Sequence, residues 1–177
     1  MPLPRKAIPK EIADYLTLDS KSPSNLRWTK GRLHGKPAGN LDGNGYYVVR
    51  FKRRAYKAHR VVWFLSNNLI CTADLIDHID GNKQNNNPSN LRLASEKTNT
   101  WNRKPQKNSF SKYKGVVFAA KSFKKPWRAD IKIDGKNITI GTYKTEAEAA
   151  HAYNLVAQKY YGEYAYLNTV EDKDKNF

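Results

Sequence analysis

The sequence predicts an α+β protein, two small units in series, each made of short strands and one or two helices. Three observations carry that expectation. Trp127-Arg-Ala-Asp-Ile-Lys-Ile133 alternates strictly between apolar and polar side chains, the period of a strand half-buried on one face. Asp134-Gly135 directly follows it and is the dipeptide of a tight two-residue hairpin. Thr145-Glu-Ala-Glu148 then forms a capping box before a segment striped with Ala149, Tyr153, Val156, Ala157 and Tyr160, and Gly162 stops it.

The elements can be justified in chain order. Residues 1–44 are polar and turn-rich, with Pro2, Pro4, Pro9, Pro23 and Pro37, and read as a basic, partly ordered arm in which Lys10 to Leu18 makes a short helix or strand. Residues 45–104 read as a compact unit. There Tyr46 to Phe51 and Ala55 to Ala58 make a hairpin turning through Lys52 to Arg54, and Ala58 to Asn67 is a helix with Val61, Val62, Phe64 and Leu65 available for burial. A strand ends at Asp77-His78, an asparagine-rich loop runs from Asn82 to Asn90, Leu91 to Ala94 is a second strand, and a helix begins near Ser95. Residues 105–111 lack apolar periodicity and read as a linker; residues 112–170 form the second unit, with Gly115 to Ala120 as a further strand, and residues 171–177 a tail.

Composition narrows the partners. Lys and Arg number 32 against 16 Asp and Glu, a net charge of +16, which favours a polyanion. No acidic residue occurs from Lys97 through Ala129, and a one-sign run of that length repels itself unless an anion lies along it. Membrane is not that anion: the most apolar stretch, Val61 to Leu65, is far too short to span a bilayer, and Met-Pro-Leu-Pro-Arg-Lys lacks the apolar core of a secretory signal. Cys71 is the single cysteine, which excludes an internal disulfide and a multi-cysteine zinc site and is consistent with an intracellular protein.

The chemistry concentrates at Asp77-His78, followed by Asn90 and Asn99. A carboxylate can hold a divalent cation, an adjacent imidazole can activate a water, and an amide oxygen from a later helix can complete a metal site. Such a site hydrolyses a phosphodiester. Taken alone, His78 could be a structural histidine hydrogen-bonded in a turn and Asp77 a surface acid, and Asp80-Gly81-Asn82 is turn chemistry.

Ala58-His-Arg-Val-Val-Trp63, Asp77-His-Ile-Asp-Gly-Asn82, Asn90-Leu-Arg92 and Thr98-Asn99 together resemble the ββα-metal core of HNH endonucleases, in particular the phage and intron-encoded branch. The resemblance implies roles. Asp77 and Asn99 would be the metal ligands, with Asn102 the rival to Asn99. His78 would be the general base, and Asn90 would brace the loop between the strands and hold His78 in its working orientation. The cofactor would be one divalent ion, magnesium or manganese, and the products would carry 5′-phosphate and 3′-hydroxyl ends. His59 would pack in the core, and Arg92 and Arg103 are candidates for phosphate contacts.

Lys112-Tyr-Lys-Gly-Val-Val-Phe118, Trp127-Arg-Ala-Asp-Ile131, Ile140-Gly-Thr-Tyr143, Glu146 through Asn154 and Gly162 through Asn168 resemble a second family, the APETALA/ethylene-response-factor type of DNA-binding domain. That resemblance implies a three-stranded antiparallel sheet plus helix whose exposed face enters the major groove of double-stranded DNA. Arg128 and Lys132 would face bases, and Lys121, Lys124 and Lys125 phosphates. Val117 and Ala119 stand where plant members carry arginines, so the plant target sequence does not transfer.

The combined expectation is a site-specific DNA endonuclease of the homing type, acting as a monomer on DNA and nicking by default. If phage-encoded, it would work in the cytoplasm of a bacterial host. The rival expectation is a non-catalytic DNA-binding regulator on a nuclease-derived scaffold, and a third is a structure-selective nuclease of repair or recombination.

Overall fold

The computed structural model describes residues 7–68, 75–105, 109–119 and 124–170. The chain divides into two compact units, 1–96 and 97–177.

The amino-terminal unit starts with a 3-10 turn, Lys10–Asp14, that feeds β1 (Leu16–Leu18), so the segment expected as helix or strand is one followed by the other. β1 pairs antiparallel with β2 (Leu26–Trp28). β3 (Asn40–Leu41), β4 (Tyr47–Phe51) and β5 (Arg54–Lys57) form a three-stranded antiparallel sheet in that order. The β4–β5 turn places Lys52 and Arg53 at φ 47° and 60°, both in the left-handed region that a primed hairpin turn demands. α1 (Ala58–Asn67) follows at once, ended by Asn68 at φ 51°, and β6 (Leu75–His78) pairs antiparallel with β7 (Leu91–Ala94).

From Ile8 to Ala38 the chain is not a separate arm. Ile8, Ile12, Leu16, Leu26 and Ala38 are buried in the same core as Val49, Val61, Val62, Phe64, Ile76 and Leu91. The spacing of Ile8, Ile12 and Leu16 carries the signal, an apolar residue every fourth position, which the surrounding prolines mask. Ser24 adds a polar tie, its hydroxyl bonded to the Ala38 carbonyl.

In the carboxyl-terminal unit β8 (Val116–Phe118), β9 (Trp127–Ile133) and β10 (Lys136–Tyr143) make an antiparallel sheet ordered β10-β9-β8, and α3 (Glu146–Tyr161) packs on it. Asp134 and Gly135 turn the hairpin at φ 47° and 82°. Thr145 and Glu148 complete both halves of the capping box. Ala129 and Ile131 meet Ala149, Ala150, Tyr153, Ala157 and Tyr161 in the core. Tyr160, expected in the buried stripe, is exposed, and its neighbour Tyr161 is inside. The Tyr161 hydroxyl donates to the Lys132 carbonyl at 2.6 Å, a contact that Tyr160 on the next face does not make. Gly115 is required by contact: a Cβ there would lie 2.1 Å from the Tyr153 ring and 2.7 Å from the Asp130 carbonyl, at φ +75°.

α2 (Glu96–Trp101) begins at the unit boundary, and from Lys97 onward its residues group with the second unit. Trp101 stacks on Tyr161 with ring centroids 4.5 Å apart and planes 10° from parallel. The Trp101 carbonyl accepts from Tyr166 N at 3.1 Å and from the Lys114 ammonium. Asn168 closes the unit, its side chain bonded to Lys114 N at 2.7 Å and Lys114 O at 3.0 Å. Among the described residues no helix is long and apolar enough to cross a membrane.

Two stability predictions follow from this packing. Ile12→Ala should lower the stability of the amino-terminal unit by about 2–5 kcal/mol, the usual cost of a buried isoleucine, read by amide exchange of α1 and β6; no change would return the segment to a dispensable arm. Lys114 is the second case. Burial, helped by the Arg103 charge, lowers its ammonium to about 8 from 10.5. The unfolded chain therefore holds more protons than the folded one between about pH 8 and 10, so stability rises with pH across that window. Above about pH 10 the buried Tyr153 and Tyr161 phenols, both pushed up, act in the opposite sense. Lys114→Met should flatten the rise between pH 8 and 10, measured as the melting temperature of the full chain against wild type.

Candidate active site

Asp77 and His78 are the last two residues of β6, with exposures of 8 % and 5 %. The register sets Asp77 opposite Arg92 and His78 opposite Leu91. Alternation along the strand turns the two side chains to opposite faces of the β6–β7 ribbon. On one face the Asp77 carboxylate accepts from Arg92 Nη2 at 3.0 Å and Nε at 3.3 Å. Arg92, expected as a phosphate contact, thus spends its guanidinium on a buried carboxylate. Its side chain is only 11 % exposed, and an acid shielded from water holds the nearest cation.

On the other face the His78 ring lies among α1, the β3–β4 region and the loop that follows β6. Its edge meets His59 of α1, ring centroids 4.9 Å apart, and Tyr46 lies 5.5 Å from His59 and 6.2 Å from His78. Burial lowers the His59 imidazole to about 3, with the neighbouring His78, Arg60 and Lys57 adding to it, so His59 is neutral at physiological pH. Among the described residues its Nδ1 has no hydrogen-bond partner. The Lys57 and Lys83 ammonium groups stand over the Tyr46 ring at 4.4 Å and 4.8 Å, and Lys57 is ion-paired to the Asp42 carboxylate.

Asn86 meets the His78 ring, its Oδ1 3.0 Å from Nε2. Asn86 is 1 % exposed, and its Nδ2 donates to the Ser24 carbonyl at 3.3 Å. In the sequence Asn86 is one member of the asparagine-rich loop, and nothing in Asn85-Asn86-Asn87 separates the three. Burial separates them, and burial was not legible.

Asn90 braces the loop. Its Nδ2 donates to Asp80 Oδ1 at 2.9 Å and to the Asn85 carbonyl at 2.8 Å, and its Oδ1 accepts from Asp80 N at 3.1 Å. The Asn90 amide is thus engaged within the loop, and it is Asn86 that meets the His78 ring. Burial raises the Asp80 carboxyl, yet donors from Asn85, Asn82 and Asn90 outweigh it and hold the group below the usual range. Gly81 turns the loop at φ 64°.

The donor set suits a hard cation. Asp77 is a buried carboxylate at a strand end, and magnesium is commonly held by one or two carboxylates with the remaining positions left to water and phosphate. Among the described residues no group of three or more His, Cys, Asp or Glu side chains comes together. Asn99 lies half-buried on α2 and Asn102, its rival, is buried just after it, both in the carboxyl-terminal unit.

The remaining DNA candidates scatter. Arg103, Lys124, Lys125 and Lys132 are exposed, while Lys121 lies outside the described residues. Arg128 is committed to Asp130 Oδ2, at 2.7 Å from Nη2 and 2.9 Å from Nε. On the outer sheet face the register lines up Val117, Arg128 and Thr142, then Asp130 beside Thr139 and Lys132 beside Asn137.

Comparison with known proteins bears on the first unit. Residues 56–100 match the family model described as HNH endonuclease, a stretch that holds His59, Asp77, His78, Asn90 and Asn99. An uncharacterized HNH endonuclease of Acanthamoeba polyphaga mimivirus is 34 % identical over 130 residues, covering 73 % of this chain and 66 % of the viral protein. Protein 3.8 of Escherichia phage T7 is 39 % identical over 83 residues, 47 % of this chain and 67 % of the phage protein. The chain thus spans about two thirds of the length of each. No solved structure matches. The segment that holds the buried Asp77-His78 pair is thus an HNH endonuclease domain.

Proposed function

We propose that the chain is a metal-dependent DNA endonuclease of the homing type that nicks one strand and leaves 5′-phosphate and 3′-hydroxyl ends. The observation that carries the reading is the adjacent buried acid and imidazole of Asp77-His78 inside the stretch that matches HNH endonucleases. In this reading β6, β7 and α2 are the ββα-metal element. Asp77 supplies the carboxylate ligand, and Asn99 is the amide ligand that the sequence resemblance assigns, with Asn102 its alternative. A magnesium or manganese ion held there would supply charge neutralisation at the scissile phosphate and the leaving 3′ oxygen.

His78 takes a proton from the attacking water on its unprotonated ring nitrogen as the new O–P bond forms. The P–O3′ bond breaks, and the leaving oxygen takes its proton from solvent. Neutral His59, edge-on to His78, adds no competing charge as the imidazole becomes imidazolium. Lys83 beside Tyr46 favours approach of a phosphate.

The carboxyl-terminal unit is, in this reading, a targeting module of the APETALA/ethylene-response-factor type. What supports it is a three-stranded antiparallel sheet with one helix on its inner face and basic Arg128 and Lys132 on its outer face. Arg103, Lys121, Lys124 and Lys125 would serve phosphates, and the protein would act as a monomer on double-stranded DNA. A phage relative supports a setting in a bacterial host, and the pairing of nuclease with targeting module supports mobility of an intron or intergenic element.

One observation favours the rival reading of a non-catalytic DNA-binding regulator: the Asp77 carboxylate is already ion-paired to Arg92. A nicking assay decides between them. Supercoiled plasmid should relax with magnesium and stay intact with EDTA, and His78→Ala should slow relaxation roughly 100- to 10,000-fold with duplex binding unchanged. A wild-type chain that binds plasmid and never nicks it, with magnesium or manganese, would favour the regulator.

Salt offers a second test, on binding alone. Duplex affinity should fall with a log–log slope of about −0.9 for each phosphate neutralised, several in total for a footprint using both units. A slope near zero, measured by anisotropy, would contradict the electrostatic basis of binding.

A further inference from the structure

His78 has two ring nitrogens, and only one of them can serve as the base. The partners of Asn86 decide which. The Ser24 carbonyl oxygen has no proton to give, so the Asn86 atom 3.3 Å from it is the Nδ2 donor. That orientation is chemically forced. Oδ1 therefore faces His78 Nε2 at 3.0 Å. An amide oxygen only accepts, so Nε2 carries the hydrogen, and in a neutral imidazole the other nitrogen, Nδ1, bears the basic lone pair.

We propose that Asn86 is a positioning residue that holds His78 in the Nε2–H tautomer with Nδ1 as the working base, and that the Ser24 carbonyl fixes Asn86 in turn. The proposal rests on the reading of His78 as the base. It assigns a task to the amino-terminal strand pair, which delivers Ser24 from 62 positions earlier in the sequence. His59 meets the ring through its edge, Tyr46 is 6.2 Å away, and Asn90 is engaged with Asp80 and Asn85. The site is built for one amide, since Asn86 is among the most deeply buried polar side chains of the unit.

The test uses the full chain, labelled with nitrogen-15 in its histidines, and two variants. Asn86→Asp keeps an acceptor for Nε2–H and loses the donor to Ser24; Asn86→Leu loses both. In the neutral ring, long-range proton–nitrogen spectra should show the Nε2–H pattern for His78 in wild type and in Asn86→Asp, and a mixed or Nδ1–H pattern in Asn86→Leu. Plasmid nicking with magnesium should drop roughly 10- to 100-fold in kcat for Asn86→Leu with KM for plasmid unchanged, and Asn86→Asp should recover a substantial part.

A wild-type Nδ1–H pattern overturns the proposal, as does an Asn86→Leu ring pattern identical to wild type. Equal losses in both variants also overturn it, because they describe a merely structural residue. Should Asn86→Leu not fold, the wild-type spectrum and Asn86→Asp still decide. The two readings fail separately. If His78→Ala nicks as fast as wild type, the base assignment falls whatever the spectra show; if His78→Ala is inactive and the wild-type ring is Nδ1–H, only the role of Asn86 falls.

Discussion

Burial of an imidazole is the constraint from which the amino-terminal unit can be understood. A ring that is 5 % exposed cannot rely on water to satisfy its nitrogens, and a polar atom left without a partner in such surroundings costs about 1–3 kcal/mol. Here the demand is passed outward: His78 to Asn86, Asn86 to the Ser24 backbone. The backbone at Ser24 is in turn held by the β1–β2 pair and by the apolar anchors Ile12, Leu16 and Leu26. Residues that touch no reacting atom are thus needed to keep one side chain still. Asp77 solves the same problem differently, by taking Arg92 as its counter-ion; removing one partner from such a pair costs about 3–5 kcal/mol.

The loop between β6 and β7 shows how little of the site rests on apolar contact. Asp80 collects donors from Asn82, Asn85 and Asn90, and Asn87 accepts from Ser89 N at 3.1 Å to start the 3-10 turn at Pro88. Side-chain amides replace the ladder that a longer hairpin would have provided. They fix the path of the loop, and the loop path fixes where Asn86 points.

Much of the fold could be read in advance where local chemistry decides it. Asp134-Gly135, the Thr145–Glu148 box and the alternation of Trp127 to Ile133 are determined within a few residues, and α3 and the sheet lie where those signals put them. Asp77, His78 and Asn90 stood out because their residue types are distinctive at that spacing. What was not legible depends on contacts remote in sequence. The first forty residues were read as an arm because prolines hid Ile8, Ile12 and Leu16. Asn86 was indistinguishable from its neighbours until Ser24 was beside it. Arg92 was read as a DNA contact because sequence shows a charge and not its partner. Tyr160 and Tyr161 are one helical step apart, too fine a difference for a stripe drawn on a wheel.

The placement of α2 bears on how such proteins can be cut and recombined. The stretch shared with HNH endonucleases ends at residue 100, yet the helix that ends it packs its indole on Tyr161, sixty residues downstream. Cutting the chain after residue 100 would sever α2 just ahead of Trp101 and leave the indole on Tyr161 without the helix that carries it. A gene fusion that exchanges carboxyl-terminal units would therefore fare better with its junction ahead of Glu96 than in the polar stretch after Trp101, carrying α2 along with the new unit.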